Sequence, residues 1–471
     1  MSVWPLRFRE LGKDDLLFSD EAGGWFLGST SFLQRYVGGK LTEADLDFLA
    51  QGGHSFGQLD DLRYVSFANR WLKRRIGRAR AIDYVIVVPT LRCDLTCSYC
   101  QVSRAPLGAK GFDWDEDVLA HVLTFLDGLS TNSIKVEFQG GEPLLRVDLL
   151  NEVRDFCRSR FEQSRFVVCS NFNSPSEEAW NFFDSPDTSL STSIDGPEEV
   201  HARQRYAGNV DAARAFFSRL DDYVSRFGVG KMAALPTVDV SAPPDFEALA
   251  STFERFGLSS VFLRPINYHG FARRRAAPEG KREAWAQLHG DFIEFLIERN
   301  HRTGRAMEEF YFTTALKRVL SGEPLGLVDF RNPNPVGVDY LVIDQDGKLF
   351  PSDEARMMAR VGQIDLSLGS VVEGVRSEVV AALNAASFND FDPDCMHCVY
   401  QPFCGSDNVD TISRHGRIDV PKSDTWFCAR HLSLFDKVFQ VLRRKDAPTR
   451  DALRSWLGVS SWPEVERVAP T

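Results

Sequence analysis

Apolar runs alternate with amphipathic stretches through the middle of the chain. Six short apolar runs predict strands at 84–89, 133–138, 165–169, 189–194, 233–239 and 260–264. The gaps between them hold helical patterns, for example Glu116 to Leu129, Leu149 to Phe161, Ala212 to Phe227 and Pro244 to Phe256. Repeated strand–helix units predict a parallel sheet or an open barrel. Chemistry in such folds lies at the carboxyl ends of the strands, so we expect the functional residues there.

The first 75 residues carry a shorter, more local pattern. Apolar runs separated by charged or glycine turns predict strands at 6–11, 16–19 and 24–27. Two helices should follow, one from Thr30 to Val37 and a second that begins after Thr42. Thr42 and Asp45 form the signature of a capping box, and Gly52 marks the end of that helix. Three strands followed by helices predict a small α+β unit.

Length and composition narrow the classes of protein. A chain of 471 residues suggests two or three domains, and 43% hydrophobic with 26% charged residues is typical of a soluble globular protein. The net charge of −11 argues against a nucleic-acid partner. No apolar run approaches membrane-spanning length and the start of the chain has no signal-like segment, so we expect a cytoplasmic protein without a membrane partner.

Seven of the nine cysteines fall into two tight groups. In chain order these are Cys93, Cys97 and Cys100, then Cys395, Cys398, Cys404 and Cys428. In the cytoplasm such groups bind metal more often than they form disulfides. Three thiolates can hold three irons of a [4Fe–4S] cube and leave the fourth iron open. Two alternatives remain for the first group: a zinc site with a fourth ligand elsewhere in the chain, or a chance clustering of cysteines. Cys157 and Cys169 stand alone in apolar surroundings and are interpreted as packed core thiols.

Polar and glycine motifs follow the next predicted strands. After the second strand comes Gln139-Gly140-Gly141-Glu142-Pro143, whose glycines let the backbone approach a ligand and whose carboxylate can accept from an ammonium group. An ordinary Gly-Gly turn is the alternative. Ser170 and Asn171 follow the third strand. The fourth is followed by Ser193-Ile194-Asp195-Gly196-Pro197, with His201 and Arg205 on the next helix, where an arginine suits bidentate pairing with a carboxylate.

Three of these motifs, taken in this order, resemble those of the radical S-adenosylmethionine (SAM) superfamily. They are the triad with Tyr99 before its third cysteine, the Gly-Gly-Glu-Pro turn and the Ser-x-Asp-Gly-Pro segment. The resemblance implies an α/β protein with a partial (β/α)6 barrel. It implies that the triad holds a [4Fe–4S] cluster whose open iron is chelated by SAM, which one electron then cleaves to a 5′-deoxyadenosyl radical. The SAM contacts that it implies are Tyr99, Gly140, Gly141, Glu142, Ser170, Asn171, Ser193, Arg205 and Leu263. The aspartate that the family places after its histidine is Ala202 here.

The C-terminal cysteines resemble the SPASM domain, which carries auxiliary [4Fe–4S] clusters in peptide-modifying radical SAM enzymes. That domain usually holds two clusters, but Ser352 and Asn408 stand where the family has cysteines, and no cysteine lies between Cys169 and Cys395. The resemblance therefore implies one auxiliary cluster, and two [4Fe–4S] clusters in the whole chain. Its implied ligands are Cys395, Cys398, Cys404 and Cys428. A structural zinc site is the alternative.

Three stretches are similar to the first maturase of the His-Xaa-Ser peptide systems, in which two radical SAM proteins act with small precursor peptides. They are Cys100 to Arg104, Leu263 to Tyr268 and Phe350 to Met357. The N-terminal pattern resembles a winged-helix leader-binding domain, with a plain structural extension as the alternative. The domains implied are a leader-recognition unit, the radical SAM core, a helical connector, a SPASM-like domain and a tail, at 1–75, 80–300, 301–334, 335–440 and 441–471.

The leading hypothesis is therefore a radical SAM oxidoreductase that cross-links side chains of a ribosomally made precursor peptide bearing a leader. It implies a reducing partner such as flavodoxin or ferredoxin, and a second radical SAM protein of the same system. The alternatives are oxidation of a Ser or Cys on a folded protein, as in sulfatase maturation, and a non-enzymatic Fe–S or zinc binding module. Candidates for a general base, by position only, are Asp353, Glu354, Tyr268 and His269.

Overall fold

The computed structural model describes residues 2–59, 61–75, 81–267, 271–272, 280–321, 327–385, 387–461 and 467–470. Its helices, α1 to α16, are Thr30–Val37, Glu43–Gln51, Leu62–Arg75, Glu116–Asp127, Val147–Arg160, Glu177–Phe182, Glu198–Arg205, Val210–Phe227, Phe246–Arg255, Lys281–Thr303, Phe310–Ser321, Asp353–Arg360, Ser377–Asn384, Asn408–His415, Trp426–Leu442 and Ala447–Leu457. Its strands, β1 to β20, are Ser2–Val3, Arg7–Gly12, Asp15–Ser19, Trp25–Gly28, Ser55–Phe56, Tyr84–Thr90, Arg92–Cys93, Ala105–Pro106, Ser133–Gly140, Gln163–Cys169, Thr188–Ser193, Met232–Leu235, Thr237–Val238, Ser260–Val261, Arg264–Pro265, Glu308–Glu309, Tyr340–Ile343, Lys348–Phe350, Gly369–Ser370 and Gly374–Val375.

A mixed sheet with strand order β12-β11-β10-β9-β6-β17-β18-β19-β20 forms the centre of the molecule. Neighbouring strands are parallel from β12 to β17 and antiparallel from β17 to β20. Parallel strands need a crossover, and α4, α5, α6 and α8 lie in the connections between them. Their apolar faces and the strands share one large buried core. The predicted α/β class with a partial, barrel-like parallel sheet is confirmed.

The predicted fifth and sixth strands are each interrupted. Pro236 separates β12 from β13, because proline has no amide hydrogen to donate to a ladder. The predicted strand 260–264 is divided as well: β14 pairs with β16, and β15 pairs with β13. The amide of Arg264 donates to the carbonyl of Pro236 at 3.4 Å, which is long for a backbone hydrogen bond. The parallel array therefore continues past β12 through a short offset pair.

On its other side, the central sheet continues into the part of the chain expected to form a separate C-terminal domain. Strand β17 lies parallel to β6, with Tyr340 opposite Tyr84 and Ile343 opposite Val87. Strands β18, β19 and β20 then extend the sheet as antiparallel hairpins. Because β18 is antiparallel to β17, the start of α12 lies beside Tyr340, at the amino end of β17.

The N-terminal elements match the sequence pattern closely. Strands β2, β3 and β4 form an antiparallel sheet, and α1 and α2 follow it. The predicted capping box is confirmed, since the Thr42 hydroxyl accepts from the amide of Asp45 and the Asp45 carboxylate accepts from the amide of Thr42. Buried Phe18, Phe26 and Phe32 pack against one another in the core of this unit.

Helices from the second half of the chain pack against one another. Helix α10 packs against α15 and α16, and α11 also packs against α15. In the part of the chain that the structure describes, no helix is both long and apolar enough to cross a bilayer.

Candidate active site

A cavity of about 530 Å³ runs along the parallel strands, from the loops at their carboxyl ends to Tyr84 and Tyr340 at the amino ends of β6 and β17. The loops after β6, β9, β10 and β11 contribute to its wall, as does the first turn of α12. Its volume falls within the range of small-molecule sites. One end of the cavity therefore lies at the edge where the sequence motifs predict chemistry.

The three cysteines of the first group all line this cavity. Cys93 Sγ accepts from the amide of Leu95 at 3.4 Å and from Asn171 Nδ2 at 3.6 Å. The loop between the cysteines is held by Asp94, whose carboxylate accepts from the side-chain amides of Asn171 and Asn173 at 2.7 and 2.8 Å. Burial raises the pKa of the Cys93 thiol to about 12. Metal binding must therefore displace protons from thiols in a site shielded from water, and a three-thiol donor set facing a cavity fits an iron–sulfur cluster.

Gly140 and Gly141 bring the end of β9 against the cysteine loop. A Cβ on Gly140 would lie 2.2 Å from the carbonyl oxygen of Thr90, and one on Gly141 would lie 2.2 Å from that of Arg92. Gly140 also has φ +124°, which L side chains rarely adopt. Both glycines line the cavity. Only glycine lets this backbone form a wall of the cavity next to the triad.

Two of the residues predicted to contact SAM do not lie on the cavity wall. Glu142 is 4% exposed, and its carboxyl accepts from the Ser170 hydroxyl and from the amides of Leu144 and Asn171 at 2.8 to 3.0 Å. Burial raises the pKa of Glu142 to about 7 despite these hydrogen bonds. Leu263 is buried in the core, and its neighbours Arg264 and Pro265 line the cavity instead. Ser170 and Asn171 remain on the wall, so Glu142 ties their loop to the glycine turn.

Arg205 lines the cavity from α7 and is fixed by two buried partners. Its Nε donates to the Tyr99 hydroxyl at 2.8 Å and to Asp195 Oδ2 at 3.0 Å, and the Tyr99 hydroxyl donates to the same carboxylate oxygen at 2.7 Å. Ser193 lies on the same wall. His201 is stacked on Phe216, and burial lowers its pKa to about 3, so it is neutral. The hydrogen bonds among Tyr99, Arg205 and Asp195 thus connect the cysteine loop to the segment after β11.

Comparison with known proteins agrees with this geometry. Residues 87–245 match the family model of the Radical SAM superfamily. These residues form a radical SAM domain.

Curated relatives match shorter stretches. An uncharacterized protein of Methanocaldococcus jannaschii is 28% identical over 119 residues, which are 25% of this chain and 40% of the relative. GTP 3',8-cyclase of Chlorobaculum tepidum is 35% identical over 83 residues, 18% of this chain and 23% of the enzyme. The chain thus spans less than half the length of these relatives.

Solved structures match over a larger part of the chain. The structure of native anSMEcpe with bound AdoMet has a TM-score of 0.59 and 16% identity, and the match covers 76% of this chain and 97% of that one. The form with bound AdoMet and Cp18Cys peptide has a TM-score of 0.58 and 15% identity, with the same coverage. At this identity the likeness shows the fold.

A second wall of the cavity carries a group that the sequence interpretation missed. Cys169 lines the cavity and its Sγ donates to Glu137 Oε1 at 3.1 Å, while the Tyr84 hydroxyl donates to Glu137 Oε2 at 2.6 Å. The interpretation of Cys169 as a packed core thiol is therefore wrong, whereas Cys157 is fully buried as predicted. The sequence contains one signal that could have located this group: residues alternate between the two faces of β9, which puts Glu137 on the same face as Gln139.

Two of the four candidates for a general base line the cavity, Asp353 and Glu354, in the first turn of α12. Arg356 donates to Asp353 Oδ1 at 2.7 and 3.0 Å, so this carboxylate is ion-paired. Burial, with the nearby charge of Asp353, raises the pKa of Glu354. Tyr268 and His269 lie outside the described residues.

The C-terminal cysteines lie away from the cavity wall. Cys395, Cys398, Cys404 and Cys428 are half-buried, and the neighbouring sulfurs add to the burial that raises the pKa of Cys404. Across the described ranges, no three Cys, His, Asp or Glu side chains converge as ligands of a single metal ion. Cys404 Sγ lies 3.1 Å from His431 Nδ1, and burial lowers the pKa of His431 to about 3. Because the Tyr311 hydroxyl donates to Asp329, the hydrogen of the neutral ring lies on Nε2, and Nδ1 accepts from the thiol of Cys404.

Proposed function

We propose that this chain is a radical SAM oxidoreductase that modifies, and cross-links, side chains of a peptide precursor. The observation that carries the proposal is the meeting of the three triad thiols, the Gly140-Gly141 turn and Arg205 at one cavity. A structural metal module has no use for a cavity, a close glycine turn and a fixed arginine beside its ligands.

The triad thiols would hold a [4Fe–4S] cluster, and Arg205 with Ser193 would bind the carboxylate of SAM. When bound, the cluster and SAM would supply radical chemistry, the abstraction of a hydrogen atom from a substrate carbon. Asp195 holds the Nε of Arg205, which leaves the terminal amino groups of the guanidinium for a carboxylate. Burial of Arg205 and Tyr99 keeps water from competing for this contact.

Glu354 is the proposed proton acceptor. It lines the cavity, and its raised pKa brings it closer to the pH at which a carboxylate can both accept and release a proton. Asp353 is less suited because Arg356 stabilises its charged form. Glu354 would take the proton that leaves the substrate when a radical is oxidised.

The four C-terminal cysteines are the proposed ligands of one auxiliary [4Fe–4S] cluster, which would supply an acceptor for the remaining electron. A hydrogen-bonded route connects this group to the cavity. Val328 and Arg331 line the cavity, and Asp329 between them accepts from the Tyr311 hydroxyl at 2.9 Å. That hydroxyl lies 2.6 Å from His431 Nε2, whose other ring nitrogen contacts Cys404 Sγ. Hydrogen bonds to cluster sulfurs also tune the reduction potential.

A peptide is the proposed substrate class. The cavity wall carries both signs of charge, with Arg104 and Arg264 as well as Glu137 and Asp353. A wall of mixed charge can pair with the amides and side chains of a peptide. The anSMEcpe structure that holds AdoMet together with a peptide shares this fold, which supports the same substrate class here.

The test is anaerobic reconstitution with iron and sulfide, followed by assay of SAM cleavage. Wild-type protein should release 5′-deoxyadenosine, and the variant with Cys93, Cys97 and Cys100 changed to Ala should release none. Cys157→Ala is the matched control, because that thiol is fully buried in the core. Release of deoxyadenosine by the triple variant would refute the assignment.

Co-expression with a small peptide encoded beside this chain tests the second half of the proposal. A cross-link removes two hydrogen atoms from the peptide, one by radical abstraction and one as a proton with its electron. Oxidation of a Ser to an aldehyde also removes two hydrogen atoms, but the aldehyde reacts with a hydrazide and the cross-link does not. Hydrazide labelling of the product would favour the sulfatase-maturation type of reaction.

A further inference from the structure

Most carboxylates on the cavity wall have a basic partner within the chain. The pairs are Glu137 with Lys135 at 3.2 Å, Asp353 with Arg356 at 2.7 Å, and Asp339 with Arg331 at 2.6 Å. The two other carboxylates of the wall are Asp83, which lies just before β6, and Glu354, whose pKa is raised by burial. The protein therefore neutralises most of the negative charge on this wall itself.

Arg264 is an arginine of the same wall whose charge is not matched in this way. Across the described part of the chain, its guanidinium has neither an ion pair nor a hydrogen bond to a side chain. Arg205, by contrast, is bonded to Asp195 at 3.0 Å. Arg104 also lines the cavity without an ion pair to any described residue. The cavity thus presents unmatched positive charge to whatever enters it.

A buried carboxylate holds the backbone next to Arg264. Glu309 is 1% exposed, and its Oε1 accepts from the amide of Leu263 at 3.1 Å. Its Oε2 accepts from the amide of Phe312 at 2.7 Å and lies 3.0 Å from His289 Nε2. Strand β15, which begins at Arg264, also pairs with β13. The arginine side chain therefore starts from a backbone that is fixed by the core, as a selective binding group requires.

The side chain of Arg264 lies over an aromatic ring. The carbon at the centre of its guanidinium is 5.8 Å from the centre of the Phe262 ring, and Phe262 is stacked on Tyr311 at 5.6 Å with 9° between the rings. An aromatic ring attracts the guanidinium through its π face and leaves the N–H groups at the edge available. A carboxylate is the planar anion that pairs with this edge through two parallel hydrogen bonds.

We propose that Arg264 binds a carboxylate of the substrate peptide and so determines which peptides the cavity accepts. The carboxylate would belong to an aspartate or glutamate side chain or to the C-terminus of the peptide. This inference rests on the proposed function, in which Arg205 is reserved for the carboxylate of SAM. The two carboxylates would then be held by two different arginines.

The position of Arg264 relative to Glu354 agrees with this role. Burial raises the pKa of Glu354, and the positive charge of Arg264 opposes that effect, so the two side chains are within electrostatic range of each other. A carboxylate bound at Arg264 would therefore anchor the peptide on the side of the cavity that holds the proposed proton acceptor.

The test uses full-length, anaerobically reconstituted protein with SAM in excess, so that Arg205 is occupied. Three acetylated, alanine-based peptides serve as probes in isothermal titration. The first has a central glutamate and an amidated C-terminus, the second has glutamine in place of glutamate, and the third is the glutamine peptide with a C-terminal carboxylate. Wild-type protein should bind the first or the third at least about tenfold more tightly than the second, because hydrogen bonds between charged groups are the stronger ones. The probe that gains affinity identifies the source of the carboxylate.

Arg264→Gln should abolish this preference, and all three probes should then bind equally. Arg264→Lys keeps the charge but not the two parallel hydrogen bonds, so it should retain part of the preference. Arg104→Gln is the matched control and should retain all of it. The proposal is overturned by equal binding of the probes to wild type, by a preference that survives in Arg264→Gln, or by its loss in Arg104→Gln.

Titration with SAM alone provides a second check on the same proteins. Arg264→Gln should bind SAM as wild type does. A loss of SAM affinity as large as that in Arg205→Ala would overturn the proposal, since Arg264 would then belong to the site of SAM itself.

The assay of SAM cleavage separates this proposal from the proposed function. A preference for carboxylate probes in protein that cleaves no SAM would keep the carboxylate site and remove the enzymatic role. Cleavage of SAM by wild-type protein that binds the three probes equally would remove only the carboxylate site.

Discussion

Replacement of Arg205 by Ala should weaken SAM binding without loss of the cluster. The guanidinium lines the cavity and is 9% exposed, and its Nε is engaged by Tyr99 and Asp195. A hydrogen-bonded contact to a charged group contributes about 1.5–3 kcal/mol. At about 1.4 kcal/mol for each factor of ten, the dissociation constant should rise about tenfold to a hundredfold.

Asp195 extends this prediction to a double-mutant cycle. Asp195→Asn keeps the shape of the side chain but places an amide group against two donors, so Arg205 loses its fixed orientation. We expect a smaller loss of SAM affinity from Asp195→Asn alone. We expect almost no further loss when it is added to Arg205→Ala, because residues acting through one contact are not additive.

The assay is isothermal titration of anaerobically reconstituted protein with SAM, with iron content measured on the same samples. Arg203→Ala is the matched control, since this arginine lies exposed on the same helix. An affinity within twofold of wild type in Arg205→Ala would refute the carboxylate contact. Full additivity of the two substitutions would refute the role of Asp195 in orienting the arginine.

Three further predictions concern the second cluster, the proton acceptor and the N-terminal unit. Fully reconstituted wild-type protein should contain about eight irons per chain, since each cube holds four. The variant with Cys395 and Cys398 changed to Ala should contain about four. A wild-type content of about twelve irons, or of about four irons with one zinc, would contradict the ligand assignment. Glu354→Gln should leave SAM cleavage intact and slow formation of modified peptide by about 10²–10⁴-fold in a mass-spectrometric time course, and an unchanged rate would exclude it as the base. Arg35 lowers the pKa of Asp45 to about 2, so the stability that this carboxylate gives is present above about pH 4 and is lost as the pH falls through 2. In urea unfolding, Asp45→Asn should therefore lower the free energy of unfolding by about 2 kcal/mol at pH 7 but by little at pH 2. Equal losses at both pH values would contradict the ion pair.

Local patterns carried much of the fold and the location of the site. The capping box of Thr42 and Asp45 and the bounds of the helix 30–37 were correctly predicted, because neighbouring residues decide them. The α/β alternation predicted a parallel sheet, and the carboxyl-end rule then placed the triad, the glycine turn, Ser193 and Arg205 at one cavity. Spacing along the chain is sufficient for such features, since each motif follows directly on its strand.

Contacts between distant segments decided the rest. The direction of the Glu142 carboxyl depends on donors from the loop after β10, and the exposure of Cys169 to the cavity depends on its neighbour strand β9. The pairing of β17 with β6, and of Val468 with Leu27, joins segments hundreds of residues apart. Sequence by itself determined which residues can do chemistry and at which edge they lie. Only the tertiary structure decided which of them face the cavity and which strand edge the chain covers, because burial and hydrogen-bond partners come from the packing of remote elements.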